Sequence, residues 1–319
     1  MAVLFLLLGF ILVVGGGKYL VSSSVQIARH YKLSAMVVGL TVVAFGTSAP
    51  ELWVSMGANL AGHPDIAIGN ILGSNIANIA LVLAFVAVIC PIEIKSKTII
   101  HDWIIMIVLS VLSLLFLAID GKLSTLEAAA LFAILLLFTY RSLHKNTAQK
   151  EAAKEADFIA PTMPIWKAAG IIVLACVALS FGSDFLVKGA SSIAAYFGVD
   201  ERIISMTLIA FGTSIPELST SVIAALKKEM DISVGNIIGS NIFNIGAVFG
   251  LTGMVKPINT PDFFQRYNLD MLMVLLVALL LLLFIIPLYK AKITRLKGLF
   301  FLLLYVMYLG ALFYSVSLV

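Results

Sequence analysis

The stretch Ala44-Phe45-Gly46-Thr47-Ser48-Ala49-Pro50-Glu51 returns, 166 residues later, as Ala210-Phe211-Gly212-Thr213-Ser214-Ile215-Pro216-Glu217. Pro50 has no N–H to give to the carbonyl four residues back, and it pushes Ala49 out of helical geometry. Gly46 adds backbone freedom. A helix that carries this peptide is therefore expected to break there, and so is its second copy. The break frees carbonyl oxygens at Ala44, Gly46 and Thr47, and Thr47 and Ser48 add hydroxyls. Glu51 adds a carboxylate one turn on. The second copy offers Ala210, Gly212, Thr213, Ser214 and Glu217 in the same order.

The surroundings of the peptide set its environment. The chain has 319 residues, of which 61% are hydrophobic and 12% charged, and its mean hydropathy is +1.09. Soluble domains carry about 25% charged residues, so the composition is that of a membrane protein. The net charge of +4 gives no reason to invoke nucleic acid. Cys90 and Cys176 both sit in apolar runs and read as packing residues, with neither a disulfide framework nor metal-ligand spacing. The N-terminal run lacks a basic leader and a small-residue cleavage site, and reads as a first transmembrane helix.

A spanning helix needs roughly 20 apolar residues. About ten such stretches are expected, near 2–25, 33–60, 66–91, 99–119, 124–143, 165–195, 202–226, 233–255, 269–289 and 297–317. Their length and continuity favour helices over barrel strands. The polar stretch 144–157 separates two sets of five. The expected organisation is a first five-helix repeat at 1–143, a cytoplasmic linker at 144–163, and a second repeat at 164–319. With the N-terminus outside, 15 Lys and Arg fall in inner loops and 4 in outer loops. That bias places both termini outside and the linker inside.

The repeat extends beyond the opening peptide. "GNILGSNIAN" at 69–78 matches "GNIIGSNIFN" at 235–244 in eight of ten positions, at the same offset of 166. The paired motif regions are 40–83 and 206–249. Five spans is an odd number, so the second copy enters the membrane upside down. Inverted repeats are a common build of secondary transporters, whose site lies at the repeat interface near the midplane. The chain thus reads as an all-α integral membrane protein of two inverted five-helix repeats, with helices broken at the midplane.

A single Gly-Pro in a membrane helix is usually a kink, and its Ser or Thr a packing residue. The acid changes that balance. A central carboxylate costs about 2.5–3.5 kcal/mol to insert, and two cost on the order of 5–7 unless paired, protonated or bound to a cation. Oxygen-only donors with two carboxylates suit a hard cation such as Ca2+. The second motif adds neutral oxygens from Ser74, Ser240, Asn78 and Asn244. Asn75 and Asn241 are expected to support these rather than bind directly. Gly69, Gly73, Gly235 and Gly239 permit close helix approach. Away from these motifs, Asp184 and Lys188 are expected to pair at i,i+4. Asp102 and Glu93 are expected to be solvated near Lys95 and Lys97. Trp103 and Trp166 are expected to anchor span ends at the interface.

With these residues in view, the chain resembles the cation/Ca2+ exchanger superfamily over nearly its whole length. "GTSAPE" with "GNILGSN", and "GTSIPE" with "GNIIGSN", resemble its prokaryotic Na+/Ca2+ exchanger branch. Ca2+/H+ exchangers more typically carry an acid in a G-N-x-x-E pattern, where this chain has Gly73 and Gly239. The resemblance implies Ca2+ held by Glu51 and Glu217 with the carbonyls of Thr47 and Thr213. It implies Na+ sites from Ala44, Ser48 and Ser74 on one side, and from Ala210, Thr213, Ser214 and Ser240 on the other. It also implies that the first and sixth spans slide to give alternating access. Some relatives carry Asp where this chain has Asn244. With Asn78 and Asn244 both neutral, only two carboxylates face the site, and coupling to Na+ or to H+ stays open. One Ca2+, two Na+ or two H+ would each neutralise them.

The expected function is a Ca2+/Na+ antiporter, against a Ca2+/H+ or other divalent-cation antiporter on the same scaffold. A passive cation channel is the rival from another class. An intramembrane enzyme would need a nucleophile with a base, or paired catalytic aspartates; none is seen among the central residues. The cargo is Ca2+ and Na+ with no further cofactor, and the partners are inorganic cations and the lipid bilayer. A monomer in the cell (inner) membrane fits. No G-x-x-x-x-G-K-[ST] motif is present, so the drive is expected to be an ion gradient.

Overall fold

The computed structural model describes residues 1–93, 99–152, 161–198, 210–286 and 292–317. Its helices are α1 (Ala2–His30), α2 (Ala35–Thr47), α3 (Ala49–Leu60), α4 (Pro64–Ile89), α5 (Ile99–Asp120), α6 (Thr125–Ala152), α7 (Ile165–Tyr196), α8 (Ala210–Thr213), α9 (Ile215–Leu226), α10 (Met230–Val255), α11 (Phe263–Ile285) and α12 (Arg295–Ser317). Eight of these are each long and apolar enough to cross a membrane. The bent pair α2–α3 forms a further broken span. All ten stretches read from the sequence carry helix; the start of the seventh, 202–209, lies outside the described residues. So do Lys95, Lys97, Lys154, Arg202 and Lys290.

Helix starts follow local chemistry. The Ser34 hydroxyl accepts the Val37 N–H at 3.3 Å and starts α2. Ser124 and Glu127 form a capping box at the head of α6: Glu127 Oε2 accepts the Ser124 N–H at 2.8 Å, and Ser124 Oγ accepts the Glu127 N–H. Pro64 opens α4 where a missing N–H costs nothing. Two helices contain a π-turn at matching places, Asn78–Leu83 in α4 and Asn244–Phe249 in α10. A third, Gly39–Val43, lies in α2.

Contacts divide the chain into two units, and each draws on both sequence halves. The first contains Met1–Pro50 and Thr139–Ser240, the second Glu51–Phe138 and Asn241–Val319. The chain therefore passes from one unit to the other inside both repeated motifs.

In the first unit α1 and α7 run antiparallel at close range. A Cβ built on Gly16 would lie 3.0 Å from the Ala175 carbonyl, and one on Gly182 would lie 2.8 Å from Val13 Cγ2. Such glycine contacts are how membrane helices gain packing area without a hydrophobic drive. α9 lies along α1, where Ser219 Oγ donates to the Val13 carbonyl at 3.0 Å and Lys227 Nζ to that of Lys18 at 3.1 Å. Val13, Leu20, Val38, Val43, Leu179 and Ile215 belong to the buried core of this unit. Asp184 and Lys188 pair at 2.6 Å as expected, but both are about half exposed, so the pair adds only about 0.3–0.5 kcal/mol. Cys176 packs against Gly46, and both cysteines are free thiols.

The second unit joins α3 from Glu51 on, α4, α5, α6 as far as Phe138, α10 from Asn241 on, α11 and α12. Two short antiparallel ladders tie its loops: β1 (Ile92–Glu93) to β4 (Lys292–Ile293), and β2 (Lys122–Leu123) to β3 (Ile258–Asn259). Gly121, at φ +67°, makes the turn into β2 and accepts the Thr260 N–H at 2.7 Å; a side chain there would strike the Thr260 carbonyl. Three surface expectations fail or shift here. Trp103 is not an interfacial anchor: it is buried, and its Nε1–H donates to the Ala278 carbonyl of α11 at 2.7 Å. Asp102 is not solvated but 7% exposed. Both lie on the face of α5 that packs against other helices, which sequence alone does not orient. Glu93 is exposed as expected, and its partner is Lys292 at 3.0 Å. Trp166 is exposed at the head of α7.

Candidate functional site

Both copies of the opening peptide break their helices at the same residue. α2 ends at Thr47, Ser48 stands at φ −87°, ψ 2°, and α3 resumes at Ala49. The bend between them is 44°. Ala49 is therefore helical, contrary to expectation. The break falls one residue earlier, which leaves Pro50 in the first turn of the new helix, where its missing N–H is not needed. In the second copy Ser214 stands at φ −85°, ψ −1°, between α8 and α9. Proline at the head of the second helix makes the restart cheap, because N–H groups there have no intrahelical partner. The break also puts Glu51 and Glu217 in the first turn of α3 and α9. The positive end of each helix dipole favours a carboxylate there, by up to ~2 kcal/mol in partly buried settings.

The first unit gathers Thr47, Ser48, Glu217, Asn236 and Ser240. Glu217 is fully buried. Its Oε1 accepts the Ser48 hydroxyl at 3.3 Å and the Ser240 hydroxyl at 3.4 Å. Both are long for a hydroxyl on a carboxylate, which closes to about 2.5–2.7 Å when strong. Oε2 has no hydrogen-bond partner among the described residues, and the buried Ser214 Oγ has none either. Thr47 Oγ1 donates to Asn236 Oδ1 at 3.1 Å and lies 3.2 Å from Ser240 Oγ. Asn236 in turn donates to Ser221 Oγ at 3.0 Å.

Two expected carbonyls are in use. That of Ala44 accepts the Ser48 N–H at 3.0 Å, because one residual helical turn closes before the break. That of Gly212 accepts the Ser183 hydroxyl of α7. The Thr47 hydroxyl also lies 3.4 Å from the Ala44 carbonyl, so of the two it is Gly212 that has the freer second lone pair. Thr213 is half-buried in α8, and the backbone of Ala210 opens that helix.

The second unit gathers Glu51, Ser74, Asn75, Asn78, Asn241 and Asn244, all at most 3% exposed. Asn70 Nδ2 donates to the Glu51 carbonyl at 3.3 Å and to Ser55 Oγ at 2.9 Å, the same arrangement that Asn236 and Ser221 make in the first unit. The four asparagines form a chain of amides. Asn75 Nδ2 donates to the Asn241 carbonyl at 3.4 Å, and Asn244 Nδ2 donates to Asn75 Oδ1 at 3.1 Å. Asn78 Nδ2 donates to Asn241 Oδ1 at 3.2 Å. Oδ1 of Asn78 and of Asn244 is left without a hydrogen-bond partner among the described residues. Buried polar atoms are seldom left so, and unsatisfied amide oxygens gathered with a buried carboxylate are the kind of donor set that a hard cation takes.

Sequence reasoning assigned no role to Asn70, Asn236, Ser55 or Ser221. The signal was present, since Ser55 and Asn70 recur as Ser221 and Asn236 at the offset of 166.

Comparison with known proteins gives a consistent answer. The sodium/calcium exchanger protein family matches residues 1–143 and 167–314. The chain is 32% identical to the sodium/calcium exchanger MaX1 of Methanosarcina acetivorans, over 98% of each chain. It is also 32% identical to the inner membrane protein YrbG of Escherichia coli, over 88% of each. Among solved structures it is similar to the sodium-calcium exchanger NCX_Mj, with a TM-score of 0.82, 31% identity and 98% of each chain covered. With broken helices, repeated acids and this likeness together, the chain belongs to the sodium/calcium exchanger protein family and is a multi-span membrane antiporter of cations that include Ca2+.

Proposed function

We propose that the protein exchanges Ca2+ for Na+ across the cell membrane, with Glu51 and Glu217 as the charged ligands. The observation that carries this is Glu217: it is fully buried in an apolar bundle, no basic group pairs with it among the described residues, and one of its oxygens has no partner. A carboxylate so placed costs about 3 kcal/mol unless it meets a proton or a cation. Glu51 is its repeat equivalent and is equally buried. The neutral oxygens of Thr47, Ser48, Ser74 and Asn78, and of Thr213, Ser214, Ser240 and Asn244, complete the donor set, with the carbonyls of Ala44 and Ala210.

Charge balance gives the coupling. Two ionised glutamates carry −2, which one Ca2+ or two Na+ neutralise. A loaded, neutral carrier crosses between states more easily than an empty one that holds −2 in a low dielectric. Competition for the same carboxylates is therefore enough for exchange. The two halves, 1–143 and 164–319, act as inverted repeats joined by a cytoplasmic linker, with both termini outside. The 15-to-4 division of basic residues supports this orientation. α1 and α7, packed through Gly16 and Gly182, move as one piece to alternate access. The names of MaX1 and NCX_Mj and the absence of an acid at Gly73 and Gly239 favour Na+ over H+.

The test is Ca2+ uptake into proteoliposomes with imposed Na+, H+ or K+ gradients. Uptake driven by an outward Na+ gradient is expected. Uptake that follows the H+ gradient alone would make H+ the counter-ion, and flux without any counter-ion would make the protein a channel.

A further inference from the structure

We infer that Asn75 and Asn241 are positioning residues that fix which end of the Asn244 and Asn78 amides faces the transported cation. This rests on the cation-site reading above. An asparagine side chain has an oxygen and an NH2 of nearly equal size, but only the oxygen can meet a cation. At a carrier site the wrong end is a repulsive ligand, so something must hold the amide one way round.

Both orientations trace back to groups that can only accept. The backbone carbonyl of Asn241 is an acceptor, so the side chain of Asn75 must turn its Nδ2 to it. Asn75 Oδ1 then faces Asn244, whose amide has to supply Nδ2 and thereby turn Oδ1 away. The other branch starts at the Met106 thioether of α5, also an acceptor, which takes Asn241 Nδ2 at 3.6 Å. Asn241 Oδ1 is left for Asn78 Nδ2, and Asn78 Oδ1 is turned away in the same sense. The oxygens turned away are the two left without a hydrogen-bond partner among the described residues. The bonds Asn78–Asn241 and Asn244–Asn75 are one contact repeated at the offset of 166, so each repeat orients the ligand of the other. All four amides are at most 3% exposed, and no bulk water competes for them.

A carboxylate needs no such help, because its two oxygens are equivalent. That supplies the test. Asn75→Ala is compared in the parent and in an Asn244→Asp background, and Asn241→Ala in the parent and in an Asn78→Asp background. Apparent KM and kcat for Ca2+ and Na+ are read in proteoliposomes. In the parent, each alanine should raise the ion KM about three- to tenfold, the scale of one lost amide hydrogen bond, with kcat little changed. In the matching aspartate background the same alanine should change KM less than about twofold, a coupling that a double-mutant cycle isolates. Equal fold-changes in both backgrounds, or no change in the parent, would overturn the inference and leave Asn75 and Asn241 as packing residues. If the alanine variants fail to insert, Met106→Leu is nearly isosteric and releases only Asn241. It should raise KM about two- to threefold in the parent and leave it unchanged beside Asn78→Asp; an equal change in both overturns the inference as well. A parent chain that moves no cation would overturn the reading of the site, and this inference with it.

Discussion

Replacing Glu217 by glutamine keeps the side chain's size and leaves an oxygen for the Ser48 and Ser240 hydroxyls, but removes the charge. Opposite unit charges about 4 Å apart attract by about 4 kcal/mol at an effective dielectric of about 20, so Ca2+ loses about 8 and Na+ about 4. In the parent, a buried carboxylate must first give up the proton or water that relieves its burial, which offsets about 3 kcal/mol of each figure. The net loss is about 5 kcal/mol for Ca2+ and about 1 for Na+. At 1.4 kcal/mol per factor of ten, Ca2+ weakens by three to four powers of ten and Na+ by about fivefold. The variant removes a buried charge but puts an amide NH2 where Oε2 has no partner, so the two effects offset and its melting temperature should stay near that of the parent. The assay pairs Ca2+ uptake and Na+ isotope exchange in proteoliposomes with thermal unfolding in detergent. A well-folded Glu217→Gln chain whose Ca2+ KM stays within tenfold of the parent would refute the assignment of Glu217 as a charged ligand.

Three further outcomes are expected. Asn244→Asp takes the site from −2 toward −3, and because carboxylates that share a site push one another toward protonation, Ca2+ transport should become more pH-dependent and its Na+ dependence should change; matched tracer flux over a pH series reads this, and identical profiles would make Asn244 a packing residue. In a chain freed of Cys90 and Cys176, cysteine at the exposed position Lys32 should label only from the cytoplasm and cysteine at the exposed Lys122 only from outside; labelling of both from one side refutes the orientation. Gly182→Val, whose Cβ alone would lie 2.9 Å from the Val13 amide nitrogen, should destabilise the α1–α7 pair by about 1–3 kcal/mol, whereas Gly15→Val, with nothing within 4 Å, should be near neutral on this scale; equal melting temperatures would refute the close packing.

The helices and the breaks were legible because each has a local cause. Ten apolar runs had to be helices in the absence of water, and Pro50 and Pro216 could not continue a hydrogen-bond ladder. The acids were legible because charge is rare in such a chain. What failed to show was anything set by a neighbouring helix. Asp102 and Trp103 sit near a span start and so read as surface residues, yet α11 covers that face of α5 and the Ala278 carbonyl takes the indole N–H. Nor does sequence show that the Ala44 and Gly212 carbonyls already have donors. The amide chain falls between these cases: its asparagines stand out in the repeat, but its direction depends on Met106 and on the Asn241 carbonyl, which carry no motif.

The π-turns at Asn78–Leu83 and Asn244–Phe249 have a consequence for how such a chain can evolve. A π-turn is in effect one residue more than an α-helix of the same span, and one residue is about 100° of rotation. Deleting one residue within either turn would let α4 or α10 close into a regular helix over the same span, so Ala84 would keep its contact with Gly298 and Gly250 its contact with Phe132. A one-residue insertion or deletion elsewhere in these helices has no bulge to absorb it and would swing everything beyond it by about 100°. The two π-turns are therefore the places where α4 and α10 can change length by one residue without moving their far ends, and what such a change re-aims is Asn78 and Asn244, the asparagines that open each turn.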